Sequence, residues 1–230
     1  MTPSNLEILA YEDTPLGPLC LRRRELLSSP GRVVTEVTLN HEFLMSSHIT
    51  VSERALATTA LDLCPGQNLS VLIGGLGLGY TAAAALECGR VASVEVVEFL
   101  PQVIEWLEDG LFPMAGRLSA DERFHLVPGD VYARLLAAPD ERFDVILIDV
   151  DHAPDDKLTD ENASFYVEDG LKRARRHLAS EGVLGVWSYA ESSPFSEALR
   201  SVFDDVSVER VTYFNDVIDD EITDWLFFAR

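Results

Sequence analysis

A chain of 230 residues, 47% of them hydrophobic, has the length and apolar content for one α/β domain with a small appendage. Its formal net charge of −21 argues against a nucleic-acid partner, whose phosphates need a basic face, and against an anionic membrane surface; its main reading is a solvated acidic surface that aids solubility, and it only weakly favours a cationic partner or substrate. The three cysteines, Cys20, Cys64 and Cys88, are odd in number and lack metal-ligand spacing, so the expectation is reduced, inert thiols, no metal and a cytoplasmic protein.

The opening MTPSNLEILAYED is acidic and has no leader-peptide design. Residues 1–50 read as a small β-rich region. Strands are expected over 16–27 and 32–39, separated by the turn Ser28-Ser29-Pro30-Gly31, and Val33, Thr35, Val37 and Leu39 alternate with a period near two. A hairpin or small sheet follows from this, and its β-rich face is the expected homodimer interface. A helix is expected over 52–63, stopped by Pro65-Gly66.

Residues 51–230 read as the main domain, and from Asn68 the pattern alternates strand and helix. Strands are expected at 69–73, 91–97, 123–127, 143–149, 182–188, 206–213 and 223–229, and helices at 79–88, 100–111, 130–138, 162–179 and 193–202. Continuous apolar runs such as Val145-Ile146-Leu147-Ile148 mark parallel strands buried on both faces. No helix separates the last two strands, which predicts an antiparallel pair at one sheet edge. The uncharged stretch Asn68 to Leu86 approaches membrane-spanning length, but four glycines interrupt it, so strand, turn and helix are expected instead. The fold class is α/β, a Rossmann-like seven-stranded sheet with a small N-terminal β hairpin or sheet.

Four places along this domain carry residues suited to chemistry. The first is the turn with Gly74, Gly75, Gly77 and Gly79, where missing Cβ atoms let backbone approach a ligand before a helix N-terminus. A dinucleotide fingerprint needs its third glycine where Tyr80 stands. The second is Glu98 at the tip of the next strand, placed to accept both hydroxyls of a ribose. The third is Asp130, which either caps the helix from Val131 or accepts from an adenine amino group. The fourth is Asp149, at the carboxyl end of the most apolar strand, where a carboxylate can hold or deprotonate an amine. Asp151 and His152 follow at once; Glu53 opens the first long helix.

Taken in order, these motifs make the chain resemble the spermidine synthase family of the class I, methyltransferase-like transferases, from about Gly31 to Arg230. VLIGGLGLG resembles the family's glycine-rich first motif, and Val97-Glu98-Phe99-Leu100-Pro101 is similar to its V-E-I-D-P segment. Gly129-Asp130 resembles the G-D pair that meets adenine, and Asp149 matches the catalytic acid after F-D-V-I. Phe165-Tyr166, Gly182-Val183-Leu184 and the run Asp224 to Ala229 resemble later landmarks. The resemblance implies a class I methyltransferase-type sheet and a nucleoside site for S-adenosylmethionine or its decarboxylated form. It places the ligand at Gly74, Gly75, Gly77, Gly79, Glu98 and Asp130, with Asp149 catalytic and Glu53, Asp151 and His152 on the acceptor.

Three departures fall on the amine side. Gly77-Leu78-Gly79 lacks the loop aspartate, His152 stands for the second acid of D-S-S-D, and Val51-Ser52-Glu53 lacks the histidine of Y-H-E. A loop acid suits a donor tail ending in an amine and repels one carrying a carboxylate. Its loss tilts the expectation towards methyl transfer from S-adenosylmethionine to a small acceptor, a cationic amine being the class the acidic chain favours. Aminopropyl transfer to a diamine is the alternative, and a nucleoside-binding protein without turnover the third reading.

Overall fold

The computed structural model describes residues 5–150, 154 and 164–230. Four strands, β1 (Leu6–Thr14), β2 (Gly17–Glu25), β3 (Val33–Leu39) and β4 (Glu42–Ser46), form an antiparallel meander. After α1 (Val51–Leu63), the chain alternates β5 (Leu69–Gly74), α2 (Tyr80–Glu87), β6 (Val91–Glu98), α3 (Pro101–Glu108), α4 (Ala115–Ser119), β7 (Phe124–Pro128), α5 (Val131–Leu136) and β8 (Phe143–Ile148). It continues with α6 (Glu168–Arg175), β9 (Leu178–Ser188), α7 (Ser193–Val202), β10 (Val206–Asn215) and β11 (Asp220–Ala229).

Strands β5 to β11 make one sheet in the order β10-β11-β9-β8-β5-β6-β7. β7, β6, β5, β8 and β9 run parallel, and the buried apolar runs of β5 and β8 at the centre fit strands covered on both faces, while β7 is a half-exposed edge. β10 and β11 pair antiparallel, and β11 inserts between β9 and β10. Period-two alternation divides the core between the two faces. Val145 and Leu147 meet α1 and α2 on one side, while Ile146 and Ile148 meet α5, α6 and α7 on the other. All four are fully buried, each contributing about 1.5–3 kcal/mol by transfer from water. Leu19, Leu21 and Val37 of the N-terminal sheet join the core on the α1–α2 side. Among the described residues, no helix is long and apolar enough to cross a membrane.

The meander has four strands rather than two. β4 escapes the sequence reading because its turn, Asn40-His41, carries left-handed φ values of 51° and 68° on residues other than glycine. β1 escapes because its apolar Leu6, Ile8 and Tyr11 are exposed and an irregularity between Ile8 and Ala10 breaks the alternation. The helix expected to 179 gives way to strand at Leu178, whose pairing with Phe143 captures the chain early. The first part of that expected helix, 162–163, lies outside the described residues. The short α4 contains Gly116, a poor helix former, and no helix is expected there.

Candidate active site

A cavity of about 930 Å³ opens at the carboxyl ends of β5, β6, β7 and β8, where ligands bind in open parallel sheets. The N-terminal sheet and the β10–β11 hairpin supply its other walls. The glycine turn forms its floor. A Cβ on Gly75 would stand 2.2 Å from the Asp149 carbonyl oxygen, and φ there is 92°. A Cβ on Gly74 would meet Val131 at 2.6 Å, and one on Gly79 would meet Leu118 at 2.5 Å. The protein's own packing therefore demands glycine at these three positions. Gly77, with φ of 53°, lies against Met45 of β4.

Glu98 is nearly buried at the end of β6. Its Oε2 accepts from the Leu76 N–H and its Oε1 from the Leu100 N–H, each at 2.8 Å. Burial raises its pKa against these backbone donors. The carboxylate thus ties the glycine turn to the start of α3 and faces the cavity, as a ribose-accepting residue must.

Asp130 does the structural job that the sequence allows it. Its Oδ1 accepts from the N–H groups of Tyr132 at 2.8 Å and Ala133 at 3.3 Å, capping α5. It lines the cavity as well. The two roles separate experimentally. Asp130→Ala should cost about 1 kcal/mol in urea unfolding, whereas Asp130→Ser should restore the cap. If serine also restores nucleoside affinity, Asp130 is a cap and nothing more.

Asp149 sits where β8 meets the glycine turn, its N–H donating to the Gly74 carbonyl at 2.9 Å. Its Oδ2 accepts a short hydrogen bond from Thr81, the second residue of α2. Burial pushes its pKa up to about 6; the Thr81 bond opposes this, and the charge of Asp224 adds to it. Glu53, in the first turn of α1, is pushed up to about 8 by burial, then by the charges of Asp149 and Asp224. The Ser52 hydroxyl donates to Glu53 Oε2 at 3.2 Å. Asp224 lies on β11, buried, with its pKa raised by burial and restrained by Ser52 and Tyr213. The buried indole N–H of Trp187 lines the same cavity and has no hydrogen-bond partner among the described residues.

Three carboxyl groups from α1, β8 and β11 thus converge on one wall. Each hinders ionisation of the others, and a cation between them would relieve that repulsion. The raised values also set a pH dependence. Glu53 and Asp149 ionise freely in the unfolded chain near 4.5 and 3.8 but resist ionisation when folded. Their contribution is therefore complete at low pH and lost as pH climbs towards 8. Thermal melts of the unliganded protein should show Glu53→Gln gaining on wild type between about pH 5 and about pH 8; a constant difference would contradict this.

The structure brings together Gly75, Gly77, Glu98, Asp130, Asp149 and Glu53 along the cavity, whereas Gly74 and Gly79 do not line it and pack against Val131 and Leu118 behind the turn. Asp151 and His152 lie outside the described residues. Asp224 and Thr81 were missed as site residues. Asp224 had a readable signal, an acid inside the apolar strand run Ile222 to Ala229; Thr81 had none, because a threonine in a first helical turn is ordinary.

No family model matches the sequence. Many solved structures are similar in fold, two spermidine synthases among them. One is a spermidine synthase in complex with the transition-state analogue AdoDATO, at a TM-score of 0.75 and 20% identity, covering 96% of this chain and 73% of that one. The other is the spermidine synthase from Thermotoga maritima, at 0.74 and 20%, covering 96% and 72%. The chain has the fold of the spermidine synthases, with its seven-stranded mixed sheet and separate four-stranded antiparallel sheet.

Proposed function

We propose that the protein is a transferase acting on an S-adenosylmethionine-type nucleoside, and that it moves an aminopropyl group from decarboxylated S-adenosylmethionine to an amine. The convergence of Glu53, Asp149 and Asp224 beside the glycine turn carries this reading, because a cationic amine is the ligand that three crowded acids favour. The likeness to a spermidine synthase holding AdoDATO supports it over the methyl transfer towards which the sequence leans. Asp224 also offsets the acids missing from the amine-side motifs.

The chemistry follows from the residues. Glu98 and the glycine turn hold the nucleoside, with Asp130 at its adenine end. An amine attacks only as its neutral form, and a carboxylate whose pKa lies near 6, as that of Asp149 does, can accept the proton the nitrogen sheds. The nitrogen lone pair attacks the methylene carbon bonded to the sulfonium, the carbon–sulfur bond breaks, and its electrons neutralise the sulfur of departing methylthioadenosine. The sulfonium is already activated, so positioning is the main demand. Methyl transfer is the second reading, favoured by buried Leu78 where the family carries an acid.

Mass spectrometry of reactions with each donor and 1,4-diaminobutane separates the readings. Methylthioadenosine from the decarboxylated donor is the expected product. S-adenosylhomocysteine from the ordinary donor would replace aminopropyl by methyl transfer. Nucleoside binding without either product, with any amine tried, would leave a binding protein.

A further inference from the structure

The same cavity has a cationic wall that neither reading uses. Arg22 and Arg24 of β2 and Glu36 of β3 line it. The strand register sets Arg22 directly opposite Glu36, and Arg24 follows two residues on, on the same face. Glu36 is 2% exposed. Its Oε2 accepts from Arg22 Nε at 3.1 Å and lies 3.0 Å from Nη2; its Oε1 accepts from Arg24 Nε at 2.8 Å and lies 2.8 Å from Nη2. Both guanidinium groups stay partly open, at 31% and 26%. Among the described residues, the Nη1 of neither arginine has a hydrogen-bond partner.

Two guanidiniums on one carboxylate leave a net charge of +1, within a chain of −21. Stability gives little reason for the cluster, since apolar residues of similar volume commonly do as well in buried positions. Recognition gives a better one. Glu36 locks the planar forks in place, which lowers the entropy lost when the remaining N–H groups meet a second oxyanion.

We propose that Arg22 and Arg24, fixed by Glu36, form an oxyanion subsite for a carboxylate carried by a substrate in this cavity. The bound substrates then present an amine to Glu53, Asp149 and Asp224 and a carboxylate to the two guanidiniums. The carboxylate belongs either to the amino-acid tail of S-adenosylmethionine or to an acceptor that is an ω-amino acid. The subsite rests on the transferase reading for what fills the rest of the cavity.

Calorimetry with two matched pairs decides this. The donor pair is S-adenosylmethionine against its decarboxylated form. The acceptor pair is 4-aminobutanoate against 1,4-diaminobutane, titrated into protein saturated with methylthioadenosine. Two variants move the cluster in opposite directions: Glu36→Gln raises its charge from +1 to +2, and R22Q/R24Q/E36Q brings it to zero without stranding a buried carboxylate. In one pair the carboxylate member should bind at least tenfold tighter. Glu36→Gln should widen that preference and the triple variant abolish it, a divergence that damage to the fold cannot produce. The pair that responds identifies the carboxylate's source. No preference in either pair, or one that survives the triple variant, overturns the subsite. Failure of methylthioadenosine to bind would instead count against the transferase reading, and the acceptor pair titrated into the free protein would still judge the subsite.

Discussion

Asp149→Asn is expected to lower transfer about 10²–10⁴-fold, the usual worth of a positioned proton acceptor. The amide keeps the size of the side chain but cannot take a proton. Its oxygen can still accept from Thr81, so α2 and the glycine turn stay in register. Methylthioadenosine affinity should therefore change little, since Glu98 and the turn remain intact. Single-turnover rates beside calorimetry make the separation. A variant that keeps its rate would remove Asp149 from the chemistry; one that loses nucleoside binding equally would make it part of the scaffold. The wild-type rate should climb as pH rises through about 6, where Asp149 ionises, and this limb should vanish in the variant.

Gly75→Ala is expected to be the most damaging small substitution at the site. Its methyl group would stand 2.2 Å from the Asp149 carbonyl oxygen, and backbone cannot yield as a flexible side chain can. The residue must also hold a φ of 92°, which costs an L-amino acid about 1–3 kcal/mol before any clash. Displacing the turn would break the Leu76 N–H bond to Glu98 and move the Asp149 backbone. Urea unfolding should show a loss on the order of 3 kcal/mol or more, with nucleoside binding abolished. Gly77→Ala is the comparison, because its Cβ would meet only the end of the Met45 side chain, the sulfur at 3.3 Å and Cε at 3.8 Å, which can shift. Equal losses at the two positions would refute the close approach of β5 and β8 as the reason for glycine.

The parallel core was readable because its physics is local: residues 145–148 are apolar without interruption, and burial on both faces is the only consistent home for them. Glu98, Asp130 and Asp149 were readable for a related reason, each being an acid at the end of such a run. The acidic wall was not. Glu53 and Asp224 lie 171 positions apart, and only the insertion of β11 beside β9 brings them to one cavity. The same holds for Arg22 and Glu36, whose pairing depends on a register between β2 and β3 that their composition does not specify. Thr81 belongs here too, since its hydrogen bond to Asp149 depends on how α2 leaves the glycine turn.

β11 is the last strand in the chain, yet it lies inside the sheet, with β9 on one side and β10 on the other. A polypeptide emerging from the ribosome can assemble β5 to β9 and the floor of the cavity while this slot is still empty. Asp224 reaches its place only when the slot is filled, so the acidic wall is completed by a strand that follows β5 to β9 in the chain. The glycine turn, Glu98 and Asp149 are therefore in place before the acidic wall beside them is whole.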